Sequence, residues 1–187
     1  MRLFLGTFLY DRDRVTPSLL DKIPFDDLQT LFRDDLKTIK KENIHITWIF
    51  LGNVDDSKIE RVLEIISKYQ DVFKGLIFQS KQLELWPPKT APRLIVLSGE
   101  LNKEIDLNEL SNELKTVCTL NIKEDFLPHI TIARFKKDKT VRAGFTPAHL
   151  MPEIKLFSWK IKEVCLIQSV LSSEGARYEK IKNWDLN

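Results

Sequence analysis

The chain has 187 residues, enough for one domain or two small lobes sharing a core. Hydrophobic residues make up 43% and charged residues 30%, with 11 Phe and 4 Trp, which supplies a packed core and excludes a disordered chain. No apolar stretch approaches the ~20 residues that span a bilayer, and a net charge of +2 neither demands nor forbids nucleic acid, so any basic surface has to be local.

In chain order, "RLFLGTFL" at residues 2–9 reads as a strand. Charges rather than a small-residue cleavage site follow it, which argues against a signal peptide. A Thr-Pro start signal predicts a short helix over "TPSLLDKI". In "FDDLQTLFRDDL", Phe25, Leu28, Leu31, Phe32 and Leu36 fall near helical spacing. After the turn "KKEN", the β-branched and aromatic run "IHITWIFL" predicts a strand ended by Gly52 and Asn53. Ser57 and Glu60 have capping-box spacing, and Ile59, Val62, Leu63, Ile66, Tyr69 and Phe73 share one face, so a helix is expected over 57–73, stopped by Gly75. "LIFQSKQLELW" and "RLIVLSG" are expected strands flanking a Pro-rich loop at 87–92. "DLNELSNELKTV" has helical spacing, "HITIARF" is a strand, "KKDKTVRAG" is a basic loop, and "IKLFSWKI", "EVCLIQSVL" and "RYEKIKNW" read as closing strands. Without βαβ alternation this order predicts an α+β fold with antiparallel sheets. A weak internal echo of strand, helix and His-x-Thr strand predicts one two-lobed, pseudo-symmetric domain over 1–187.

Cys118 and Cys165 have no CxxC spacing, which excludes a disulfide framework or a cysteine zinc site and is read as two buried, reduced thiols of a cytosolic protein. The chemistry lies elsewhere. "NIHITWIFLG" and "FLPHITIARF" each carry a His and, two residues on, a Thr inside an apolar run. Side chains alternate faces along a strand, so His45 and Thr47 point away from Ile44, Ile46 and Trp48, and His129 and Thr131 point away from Ile130 and Ile132. Ile49 is expected on the same face as His45 and Thr47. Burying an imidazole or hydroxyl without a partner costs about 1–3 kcal/mol, so each pair has local partners, water or a ligand. One such pair is uninformative, because Thr is a good strand former; two among three histidines point to function.

Two imidazoles titrating near neutrality are suited to moving two protons. Opening a cyclic phosphodiester needs both, one taken from the attacking water and one given to the departing ribose oxygen. The threonine hydroxyls can donate to nonbridging phosphate oxygens, where charge must be stabilised. A catalytic metal is disfavoured, because neither motif has a second His or a carboxylate at metal spacing, and Glu124 and Asp125 need not converge on His129. No GxSxG supports a serine nucleophile and no GxxxxGK[ST] loop implies ATP.

At these residues the sequence resembles the two-histidine phosphoesterases, and within them the RNA 2′,3′-cyclic phosphodiesterases, also called 2′-5′ RNA ligases. "RLFLGTF" is similar to the family's opening strand, "ENIHITWIFLGNVDDSKIE" to its first motif and helix, and "LWPPKTAPRLIVLSG" to its Pro-rich loop and strand. "FLPHITIARF" resembles the second motif with its arginine, and "SVLSSEGARYEKI" the C-terminal loop and strand. The resemblance implies a bilobal fold of two antiparallel sheets with outer helices around a central cleft. It also implies hydrolysis of an RNA 2′,3′-cyclic phosphate to a 2′-phosphomonoester with no metal or other cofactor, and a possible reverse 2′-5′ ligation. Carried over, His45 is the proton donor and His129 the proton acceptor. Thr47 and Thr131 hold the phosphate, and Arg134, five residues after His129, contacts substrate. One departure is Ile49, which stands where the family often has a polar or basic residue.

Further candidates have competing readings. Arg134, Lys136, Lys137, Lys139 and Arg142 form a basic rim for an RNA backbone or an ordinary solvated loop. Arg177 approaches the phosphate or makes a surface salt bridge. His149 lacks a Thr partner and is read as noncatalytic. Phe4, Trp86 and Phe126 are base-stacking candidates or core. The expected protein is a cytoplasmic monomeric hydrolase that acts on RNA ends and binds no membrane. The alternatives are a phosphodiesterase for a small cyclic or 2′-5′-linked nucleotide, and a non-catalytic RNA-end binding module.

Overall fold

A computed structural model of the chain describes residues 1–9, 17–87, 92–118, 126–136, 151–172 and 175–186. The strands are β1 (Arg2–Phe8), β2 (Leu36–Thr38), β3 (His45–Asn53), β4 (Ile77–Trp86), β5 (Leu94–Leu101), β6 (His129–Phe135), β7 (Ser158–Lys160), β8 (Glu163–Ser172) and β9 (Gly175–Asp185). The helices are α1 (Pro17–Leu20), α2 (Phe25–Phe32), α3 (Ile59–Tyr69) and α4 (Asn108–Lys115). The α+β expectation holds. The two expected sheets are halves of one curled antiparallel sheet, ordered β7-β4-β5-β6-β3-β1-β8-β9, with β2 paired to β6. The halves meet where Ile46 of β3 partners Ile130 of β6.

That junction explains why the apolar runs are strands. Leu3, Leu5, Ile44, Ile46, Ile130 and Ile132 are all fully buried on one sheet face. They pack in one core with Val62, Ile65 and Ile66 of α3 and Leu110 and Leu114 of α4. Each such side chain contributes roughly 1.5–3 kcal/mol on burial. The opposite face carries a separate small cluster of Phe4, Phe8, Cys165 and Ile167, with Tyr178 packed against it.

Local differences from the sequence reading have physical causes. The expected helix over 57–73 is split into a 3₁₀ turn at 56–58, α3, and a second 3₁₀ turn at 70–73, and Lys58 rather than Ser57 caps α3, with no side-chain cap bond. Leu36 belongs to β2 and not to a helix. Arg33, at a φ of 47°, ends α2, and Leu36, Lys37 and Thr38 then pair with Phe135, Arg134 and Ala133. No helix among the described residues is long and apolar enough to cross a membrane.

Candidate active site

Because Ile46 and Ile130 partner each other and both point into the core, the residues flanking them turn to the opposite face. His45, Thr47, His129 and Thr131 are accordingly half-buried there, between fully buried isoleucines. In antiparallel register Thr47 then stands at the level of His129, and Thr131 at the level of His45. The structure thus brings the two His-x-Thr pairs to one surface.

Both imidazoles are held the same way. Their Nδ1 atoms lie 2.6 Å from the Asn43 carbonyl in His45 and 2.8 Å from the Leu127 carbonyl in His129. A carbonyl only accepts, so each Nδ1 carries the proton and each Nε2 keeps its lone pair. In His45 that Nε2 meets Thr47 Oγ1 at 3.1 Å. The His45 ring sits on the small aromatic cluster, 4.8 Å from Phe4 and 5.1 Å from Tyr178. Burial lowers the His45 pKa from 6.5 to about 4 against the pull of the Asn43 carbonyl, and the charges of Arg134 and His129 lower it further. Burial likewise lowers His129 against its bond to Leu127. Both histidines therefore rest neutral near pH 7.

Gly6 lies opposite Thr47 in the β1–β3 pairing, between Phe4 and Phe8 on this face. A Cβ there would meet the Ile46 carbonyl oxygen at 2.8 Å and the Phe4 ring at 3.0 Å, so only glycine leaves Phe4 beneath His45.

Beyond each threonine the alternation breaks. The β1–β3 register steps from Gly6↔Thr47 to Leu5↔Ile49, which makes Trp48 a bulge residue. The expectation that Ile49 shares the face of His45 and Thr47 is therefore wrong: the bulge turns Ile49 into the core, 4% exposed, and brings Phe50 to the site face, 46% exposed. Trp48 is pinned in the core by its indole N–H to Thr7 Oγ1 at 2.8 Å. The β5–β6 register breaks likewise between Val96↔Thr131 and Ile95↔Ala133, with Ile132 as the extra residue. Ala133 is buried, and Arg134 is exposed on the face of His129 and Thr131. Phe50 and Arg134, each five residues after a histidine, are thus structural counterparts.

The remaining candidates are placed differently. Arg177 is exposed and pairs with Glu179 through Nε at 3.2 Å, while its neighbour Tyr178 contacts His45. Trp86 lies with its ring 4.5 Å from that of His129, fixed by an indole bond to Glu84 Oε2 at 3.0 Å. Burial disfavours the charged form of Glu84, but hydrogen bonds from Ser98, Trp86 and Gln82 outweigh it and hold the carboxyl below its usual range. Phe4 is 1% exposed and presents no face to a base, and Phe126 is half-buried with its ring packed on Trp48. Asn43, which the sequence reading passed over, supplies the carbonyl for His45 and donates from Nδ2 to the Ala176 carbonyl at 3.0 Å. Among the described residues no group of three or more His, Cys, Asp or Glu is arranged to hold a metal ion. Glu124, Asp125, His149 and the loop residues Lys137, Lys139 and Arg142 lie outside the described residues.

Known proteins resemble the chain in sequence and in fold. The profile of the LigT like Phosphoesterase family matches residues 25–96. The RNA 2′,3′-cyclic phosphodiesterase of Methanocaldococcus jannaschii is 26% identical over 80% of this chain and 84% of its own. The protein of the same name from Archaeoglobus fulgidus is 24% identical over 97% of this chain and 98% of its own. The crystal structure of TT0787 of Thermus thermophilus superposes with a TM-score of 0.68 at 20% identity, covering 100% of this chain and 98% of that one, a likeness of fold. The profile and these relatives support the two-histidine phosphoesterase family for this chain, and the solved structure shares its fold.

Proposed function

We propose that this protein hydrolyses the 2′,3′-cyclic phosphate at an RNA end to a 2′-phosphomonoester without a metal. The observation that carries the reading is the Ile46–Ile130 pairing, which turns two His-x-Thr pairs onto one face. The names of the Methanocaldococcus and Archaeoglobus relatives support the substrate class. His129 Nε2 takes a proton from water, whose oxygen attacks phosphorus. The bond from phosphorus to O3′ breaks, and protonated His45 gives its Nε2 proton to O3′. Thr47, Thr131 and Arg134 hold the nonbridging oxygens, where charge builds. The phosphate's negative charge opposes the burial that keeps His45 neutral, so substrate binding itself favours the protonated donor. The same steps with a 5′-hydroxyl in place of water join that end to the phosphorus through a 2′-5′ bond, His129 taking the hydroxyl proton and O3′ leaving with the proton from His45. The protein acts as a monomer in the cytoplasm.

The test is incubation in EDTA with an RNA bearing a 2′,3′-cyclic phosphate, followed by identification of the product. A 2′-phosphate is expected; no turnover sinks the reading, and activity that collapses in EDTA replaces it with a metal mechanism. Asn43→Ala cuts the bond that ties the 41–43 turn to β9. Losing one such hydrogen bond, worth ~1 kcal/mol, is expected to lower kcat roughly fivefold through a misaligned His45, with KM nearly unchanged. A change in KM alone would contradict that role.

A further inference from the structure

We propose that Phe50 is the platform of a nucleobase subsite, on which the base one nucleotide upstream of the cyclic phosphate stacks beside the Arg2 guanidinium. The inference rests on the phosphodiesterase reading above and sharpens its substrate class from cyclic nucleotides in general to oligonucleotide ends.

Four observations carry it. First, the Trp48 bulge spends one residue of β3 to turn Phe50 outward, and the matching bulge in β6 turns out Arg134. The fold treats the two positions alike, and one of them carries a cation whose charge reaches His45. Second, Phe50 is the large aromatic left exposed among the described residues, although its neighbours Ile49 and Leu51 are buried. Third, it is rigidly backed. Its ring is stacked on Phe4 at 5.8 Å and 20°, and Phe4 is in turn fixed 4.8 Å from His45 and 5.2 Å from Tyr178. His45, Phe4 and Phe50 form a row of rings leading away from the phosphate site, with the exposed member at the far end. Fourth, the Arg2 guanidinium carbon lies 5.6 Å over the Phe50 ring. Guanidinium planes and aromatic faces are the two surfaces on which unstacked RNA bases are held. Arg2 sits on an exposed side chain, so it can yield the ring face to a base and stack on the base's other side, its charge near the connecting phosphate.

The test compares kcat/KM for a 2′,3′-cyclic mononucleotide and for a dinucleotide ending in a 2′,3′-cyclic phosphate. Phe50→Ala is expected to lower the dinucleotide value about 5- to 150-fold, the range that base–aromatic stacking supplies, and to leave the mononucleotide value unchanged. Phe50→Trp keeps the preference. Phe50→Leu, which retains apolar packing on Phe4, repeats the selective loss and removes misfolding as its cause. Arg2→Gln is expected to flatten the salt dependence of dinucleotide binding by slightly less than one log unit per log unit. Equal losses on both substrates, or no loss on the dinucleotide, overturn the subsite while leaving the phosphodiesterase reading intact. A wild-type protein that turns over neither substrate overturns both.

Discussion

Replacing His129 by alanine is expected to lower kcat on a 2′,3′-cyclic phosphate by roughly 10²- to 10⁴-fold, and replacing His45 is expected to cost a similar factor. The two losses will not multiply in the double variant, because the proton taken by one histidine and the proton given by the other belong to one displacement. The roles separate when the leaving group changes. A diester with a nitrophenolate leaving group departs without a proton, so His45→Ala should recover most of its rate on that substrate, whereas His129→Ala should not. Recovery by His129→Ala instead would exchange the two roles, and full activity of either variant on the cyclic phosphate would remove that histidine from the mechanism. The geometry makes the contrast clean. Each Nδ1 is tied to its own backbone carbonyl, so deleting one ring leaves the other's orientation in place. A rate flat from pH 5 to 9 would contradict both assignments.

The pairing of the histidines was legible because strand alternation is a strong local rule. Ile44, Ile46, Ile130 and Ile132 declare the core face, and His45, Thr47, His129 and Thr131 fall opposite it by parity alone. Parity fails where a residue is inserted into the ladder, and a bulge leaves little trace in composition. Trp48 reads as one more strand residue, yet its bond to Thr7 on a different strand makes it the extra one and moves Phe50 into the place expected for Ile49. A sequence signal did exist: Arg134 and Phe50 stand at equal distances from their histidines, and a pseudo-symmetric reading of that spacing would have pointed to Phe50. Tertiary context decided the other misses. Leu36 fits the helical spacing of α2, but the edge of β6 beyond its bulge takes it as a strand partner. Asn43 was invisible as a strap because its partner, Ala176, lies near the far end of the chain.

Folding stability is expected to fall by roughly 2–3 kcal/mol between pH 7.5 and pH 4.5, with His45 as the main cause, taking 1.36 kcal/mol per unit of pKa shift. In the unfolded chain its imidazole binds a proton near 6.5, and in the folded protein burial delays this to about 4. Between those values the unfolded state holds more protons, so stability rises with pH across the window, is complete above about 6.5 and is lost on the way down to about 4. His129, also lowered by burial, adds a contribution of the same sign. The carboxyls held below their usual value of 4.5, Glu84 and Glu113, lose their contribution only at lower pH, so they barely enter this window. Urea denaturation at the two pH values, on wild type and His45→Gln, reads the effect directly. The variant should show a much shallower loss, because glutamine does not titrate. Equal losses in both proteins would show that His45 is not held neutral by its aromatic floor. Inorganic phosphate should oppose the wild-type loss, since an anion between the histidines stabilises the protonated ring that burial disfavours. That is the charge state which the proton donor needs when substrate is bound.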